Sequence, residues 1–121
     1  MLAKVLPCVA LLLAVPALAA AQASQPITET KVLAGTWNGW YNPLRGGPPA
    51  RAQLMVKDDG SWTFYVTGAN PTTGRITLAD GQASYQGSVG DPGSVVLLES
   101  KGKSVLRFVR RDGTIASEFE R

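Results

Sequence analysis

Side chains able to do chemistry are few here, and most are carboxylates or guanidinium groups. The carboxylates of interest are Asp58, Asp59, Asp80, Asp91 and Asp112. Each stands in a turn-like context: Asp58-Asp59-Gly60, Asp80-Gly81, Asp91-Pro92-Gly93 and Asp112-Gly113. Short acidic side chains serve the backbone in such turns, so their presence is explained without catalysis. No two are expected to face one cavity, which leaves paired acid–base work without support. Asp91-Pro92-Gly93 lacks the ligand spacing of a calcium loop. The chain has no His and a single Cys, Cys8. Nucleophilic triads need a His base, and zinc sites usually need Cys or His. The expectation is a protein that is not an enzyme and that carries no metal or cofactor.

The arginines are more suggestive. Arg45, Arg51, Arg75, Arg110 and Arg111 fall in or beside one set of loops, opposed there by Asp91 and Asp112. A guanidinium above an apolar interior receives a carboxylate or phosphate through paired hydrogen bonds. The other reading is a solvated arginine cluster near loop ends.

The N-terminus reads as a targeting segment. Lys4 precedes the apolar run Val9 to Ala19, and small residues follow through Ala23. This order fits a secretory signal over residues 1–23, cleaved after Ala21 or Ala23. The run is short for a bilayer span, so no membrane span is expected after cleavage. Cys8 lies in the hydrophobic region of the signal, after Pro7 and without a preceding small residue, which argues against a lipoprotein. Cleavage removes the only Cys, and with it any disulfide. Of 12 basic residues Lys4 is also lost, leaving 11 against 9 acidic ones. That mild charge gives no reason to expect a nucleic-acid partner. Residues 24–31 are polar and read as a flexible leader.

From residue 32 to 121 the pattern is all-β. Short runs rich in Val, Ile, Thr and aromatics alternate with Gly, Asp, Asn and Pro clusters. Eight runs are expected, near 32–41, 50–57, 61–67, 74–79, 82–88, 94–100, 103–110 and 114–120. The turns set their register. A three-residue loop at Asp58-Asp59-Gly60 pairs Val56 with Trp62, Leu54 with Phe64 and Ala52 with Val66. Asp80-Gly81 sets Leu78 opposite Ala83 and Ile76 opposite Tyr85. Lys101-Gly102 sets Leu97 opposite Leu106 and Val95 opposite Phe108. Asp112-Gly113 places Leu106 near Phe119 and Phe108 near Ser117, with Arg107 opposite Glu118 on the other face. The hairpins agree on one inward face, the signature of an antiparallel up-and-down meander closing into a small barrel, complete or incomplete.

Such a meander has tight loops at one end and long ones at the other. Residues 42–50, 68–73 and 89–93 form the loose end, where binding usually sits. Arg110 shares parity with Leu106 and Phe108, so it points inward just below that mouth. A small hydrophobic or amphipathic ligand with an anionic head at Arg110 would place its tail among Leu54, Phe64, Ile76, Tyr85, Leu97 and Phe108. Barrels this small are also filled by their own side chains. In that case Trp62, Phe64, Tyr85, Phe108 and Phe119 leave no pocket.

Gly35-Thr36-Trp37 in the first strand of an eight-stranded meander resembles the calycin superfamily of lipocalins, fatty-acid-binding proteins and avidins. The resemblance implies a Trp near the closed end with a basic residue of the last strand packed across it. Trp37 and Arg121 match that pair, joined by cation–π attraction. The chain is shorter than a typical lipocalin and lacks both its C-terminal helix and its disulfide cysteines. The biotin-contacting tryptophans of avidins have no match. The resemblance is thus to small lipocalin-like domains exported by bacteria, with periplasmic or secreted location implied.

A second reading uses the outer face. Val96, Leu98, Val105 and Val109 share outward parity on adjacent strands, and Trp40, Met55 and Tyr65 are outward too. A contiguous apolar face suggests homodimerisation or docking to another envelope protein, unless the leader covers it.

Overall fold

The turns bend the backbone as their composition requires. Asp80 and Gly81 both take positive φ (52° and 77°), as do Lys101 and Gly102 (52° and 80°). Two consecutive left-handed residues match the right-handed twist of the flanking strands. The computed structural model describes residues 23–43 and 46–121. The expected signal segment lies outside these residues apart from Ala23, as does Arg45.

Among the described residues nine strands form one antiparallel sheet: β1 (Ala23–Gln25), β2 (Gly35–Tyr41), β3 (Ala50–Val56), β4 (Ser61–Val66), β5 (Thr72–Ala79), β6 (Gln82–Gly87), β7 (Gly93–Ser100), β8 (Lys103–Val109) and β9 (Ile115–Glu120). Strands β2 to β9 pair in sequence as a meander. β2 then pairs with β9 through Asn38↔Glu120 to Tyr41↔Ser117, closing an eight-stranded barrel. Every register expected from the turns is present. Val56 faces Trp62 and Leu54 faces Phe64; Ile76 faces Tyr85; Leu97 faces Leu106; Phe108 faces Ser117. On the outer face Arg107 Nε donates to Glu118 Oε2 at 2.7 Å.

Closure brings β2 and β9 very close. A Cβ added at Gly39 would lie 1.8 Å from the Glu118 carbonyl oxygen, so no other residue fits there without moving a strand.

Two elements depart from the expected pattern. The first strand begins at Gly35, because Thr30–Leu33 form a 3-10 turn that crosses the closed end. The segment expected to be a flexible leader is tied down. Ser24 and Gln25 pair with Leu98 and Leu97 of β7, and Ile27 is buried in the core. β6 meets β7 only at Ser84↔Ser94 and Tyr85↔Gly93. β1 takes up the edge of β7 farther along, at 97–99. Ala-Ser-Gln carries no apolar alternation, so nothing in its pattern reads as a strand.

The closed end is packed solid. Leu33, Trp37, Leu106 and Phe119 are fully buried. Trp37 Nε1 donates to the Leu33 carbonyl at 2.8 Å, so the indole is buried without an orphaned N–H. The Arg121 guanidinium carbon lies 4.1 Å from the Trp37 ring centroid. The same guanidinium donates to the carbonyls of Ala34 and Val32, each at 2.7 Å. Arg121 thus ties the last strand to the 3-10 turn and lids the indole.

Arg121→Ala should cost about 1–2 kcal/mol, from a cation–π contact and two charge-assisted hydrogen bonds at an exposed site. Urea titration measures it; an unchanged midpoint would remove the clamp from the stability argument.

Acid should weaken two turns. The hydroxyl and backbone N–H of Ser61 hold the Asp59 carboxyl below its ordinary range. The backbone N–H and hydroxyl of Thr114 do the same for Asp112. A carboxyl with a depressed folded-state pKa adds stability above its unfolded value, about 3.9 for Asp, and loses it as pH falls through the folded value. Thermal melts taken below about pH 4 should therefore fall less steeply for an Asp59→Asn/Asp112→Asn double variant than for the wild type.

Candidate functional site

The other half of the barrel is not filled. A cavity of about 700 Å³ opens at the end carrying the long loops. Inward positions of β2, β3, β4, β6, β8 and β9 wall it with Tyr41, Leu54, Trp62, Phe64, Tyr85, Phe108 and Ser117. Ala69, Asn70 and Thr72 and the segment from Val89 to Pro92 form its rim, where Val89 is 74% exposed.

The aromatic side chains form one connected set. Tyr41 meets Phe64 (5.5 Å between centroids), Phe64 meets Phe119 (5.9 Å), and Phe119 meets Phe108 (5.9 Å). Phe108 in turn meets Trp62 (6.0 Å) and Tyr85 (4.9 Å). Most of these contacts are edge-to-face, an arrangement favoured by the ring quadrupoles. The set lines the open part of the lumen, with Phe119 at its buried end.

Glycines supply the rest of that space. Gly74, Gly87 and Gly93 occupy inward positions of β5, β6 and β7. A Cβ at Gly74 would fall 2.2 Å from Cζ2 of Trp62, and one at Gly93 would fall 2.5 Å from Cε2 of Tyr85. The two rings therefore lie against bare backbone where neighbouring side chains would otherwise stand. A bulge does similar work in β9. Val109 pairs with Ile115 while Phe108 pairs with Ser117, so Ala116 is the extra residue. Ala116 and Ser117 both border the cavity as a result.

Five expected site residues come together here: Leu54, Phe64, Tyr85, Phe108 and Arg110. Ile76 and Leu97 do not line the cavity. Ile76 is fully buried in the core of the packed half, and Leu97 packs against that core. Their parity was right, but their level along the barrel axis was not. The residues missed are Tyr41 and Trp62 as walls and the three glycines. The register already placed Gly74 opposite Gly87, which was the available signal.

Arg110 sits at the rim as expected, half-buried. It donates through Nη2 to the Asn42 carbonyl and through Nη1 to Thr114 Oγ1 at 3.5 Å, with its Cζ 6.0 Å from the Tyr41 ring centroid. Two of the other described arginines lie away from the rim. Arg75 is in register with Ser61 next to the Asp58–Gly60 turn, at the closed end. Arg51 is exposed on the outer face, in register with Trp40. Arg110 and Arg111 border the cavity together with Asp91 and Asp112. Burial raises the Tyr85 hydroxyl pKa above its ordinary value.

The outer face offers less apolar surface than its parity implied. Leu98 is buried, and Val96, Val105 and Val109 are half-buried. Met55 and Tyr65 are exposed. Among the described residues no group of acidic, His or Cys side chains could hold a metal ion. Comparison with family models, curated proteins and solved structures returned no match.

Arg110→Ala should loosen the rim next to Asn42, whose own N–H is bonded to the Ala116 carbonyl. Faster amide exchange at Asn42, with unchanged exchange at the Trp37 end, is the expected outcome. Equal protection in both proteins would mean that Arg110 does not hold the rim.

Proposed function

We propose that this chain is an exported, non-enzymatic binding protein that carries a small hydrophobic or amphipathic molecule in the open half of its barrel. The observation that supports this reading is the cavity of about 700 Å³ walled by aromatic and aliphatic side chains. Ligand cavities typically measure roughly 300–1,000 Å³, mostly apolar with a few placed polar groups. Arg110 is the polar group best placed to orient an anionic end. Its planar fork has five N–H donors, and contacts to Asn42 and Thr114 leave some of them free.

The Trp37–Arg121 stack is the feature that supports assigning the barrel to the calycin type, alongside the meander itself. The signal-like N-terminus supports a periplasmic or secreted location. A homodimer or envelope partner on the outer face is a weaker proposal, since Leu98 is buried there.

Anilinonaphthalene sulfonate, an amphipathic anion whose emission rises in apolar surroundings, tests the reading. Saturable enhancement at one probe per chain is expected, weakened about tenfold or more by Arg110→Ala through loss of a charged hydrogen-bond donor. A folded wild-type protein that gives no enhancement would overturn the proposal.

A further inference from the structure

Resting on the cavity reading above, we infer that the ligand is a compact planar aromatic anion and not a long-chain amphiphile. Three independent features of the barrel point that way.

The first is depth. Leu33, Trp37, Ile76 and Leu106 are essentially inaccessible, so the barrel axis is blocked below the aromatic set. The open space is confined to the half nearest the rim. An extended alkyl tail needs a lumen that runs the length of the barrel, and here that length is filled with side chains. Ile76 and Leu97, which a deep tail would touch, lie outside the cavity.

The second is the character of the walls. Tyr41, Trp62, Phe64, Tyr85 and Phe108 surround the space. Trp62 and Tyr85 are accommodated by glycine backbone at Gly74 and Gly93. Glycine at these positions lets the two rings lie down against the neighbouring strands instead of across the lumen, so the space is walled by rings, a lining that suits a flat guest. Ring-to-ring contacts add attraction beyond the area they bury, which an alkyl chain does not receive.

The third is an unpartnered donor. Trp62 is 7% exposed, and its Nε1–H finds no acceptor among the described residues. Trp37 differs: its N–H is satisfied by the Leu33 carbonyl. A buried indole N–H without a partner is costly and uncommon in folded proteins. Trp62 borders the cavity but its Nε1 is closed off as the ring stands, so a guest oxygen or ring face satisfies the N–H only by turning the indole toward the lumen, which makes its resonance a reporter of occupancy. Arg110 at the rim takes the charged group.

Calorimetric titration with naphthoate and decanoate separates the alternatives. Both are monocarboxylates of similar carbon count, one flat and one extended. Naphthoate is expected to bind about tenfold tighter, the equivalent of one or two additional ring contacts. In a nitrogen–proton correlation spectrum it should shift the indole resonance of Trp62 and leave that of Trp37 in place. Trp62→Phe, which keeps a ring but removes the N–H, assigns the resonance.

Decanoate binding as tightly as naphthoate, or tighter, would overturn this inference and leave the cavity reading standing. Naphthoate binding with no shift at Trp62 would also overturn it. Failure of naphthoate, decanoate and anilinonaphthalene sulfonate alike, in a folded protein, would overturn both readings.

Discussion

Everything in this barrel depends on how firmly its closed end is sealed. A small domain has little apolar surface to bury, and this one leaves half of its interior unfilled. The packed half must therefore supply the cohesion. Trp37 is central to it, with its N–H on the Leu33 carbonyl and the Arg121 guanidinium across its face. The contacts link the first barrel strand, the 3-10 turn and the end of the last strand. Thr30 extends the tie by donating its hydroxyl to the Asp58 carbonyl at 2.7 Å. With that end fixed, strands can diverge at the other without the sheet opening.

The same residue chemistry is used differently at the two ends. Trp37 and Trp62 both sit inside the barrel, on β2 and β4. One is satisfied and capped; the other rests over glycine with its N–H unpartnered. Aromatic residues in the packed half bury area and close gaps. In the open half, held at edge-to-face angles, they line a space instead of filling it. The hydrophobic content of a small barrel thus does not determine whether it is solid. What determines it is which neighbours are glycine, alanine or serine.

The meander and its register were legible in the sequence because the turns carry their own chemistry. Gly60, Gly81, Gly102 and Gly113 fix loop lengths, and loop length fixes which side chains face each other. The pairing of Trp37 with Arg121 was implied by the resemblance carried by Gly35-Thr36-Trp37, and the stack is present. The strand β1 could not be found, since its three residues owe their conformation to the edge of β7 and not to a pattern of their own. Arg75 was placed at the wrong end because β5 begins before its expected start and extends past β4, which shifts levels along the axis without changing parity. Ile76 and Leu97 stand outside the cavity lining although their parity is inward. Parity reports the face of a strand; depth along the barrel depends on strand tilt and stagger, which local sequence does not encode.

The position of β1 also bears on the order of assembly. It is the most N-terminal strand among the described residues, yet its partner β7 lies far along the chain. β2 likewise waits for β9 before the barrel can close. Contacts between such distant segments slow folding, because chain entropy is lost before they form. The early hairpins can zip one after another, but the seam can be sewn only when the last strand joins. Until then the inward aromatic face stays open to solvent.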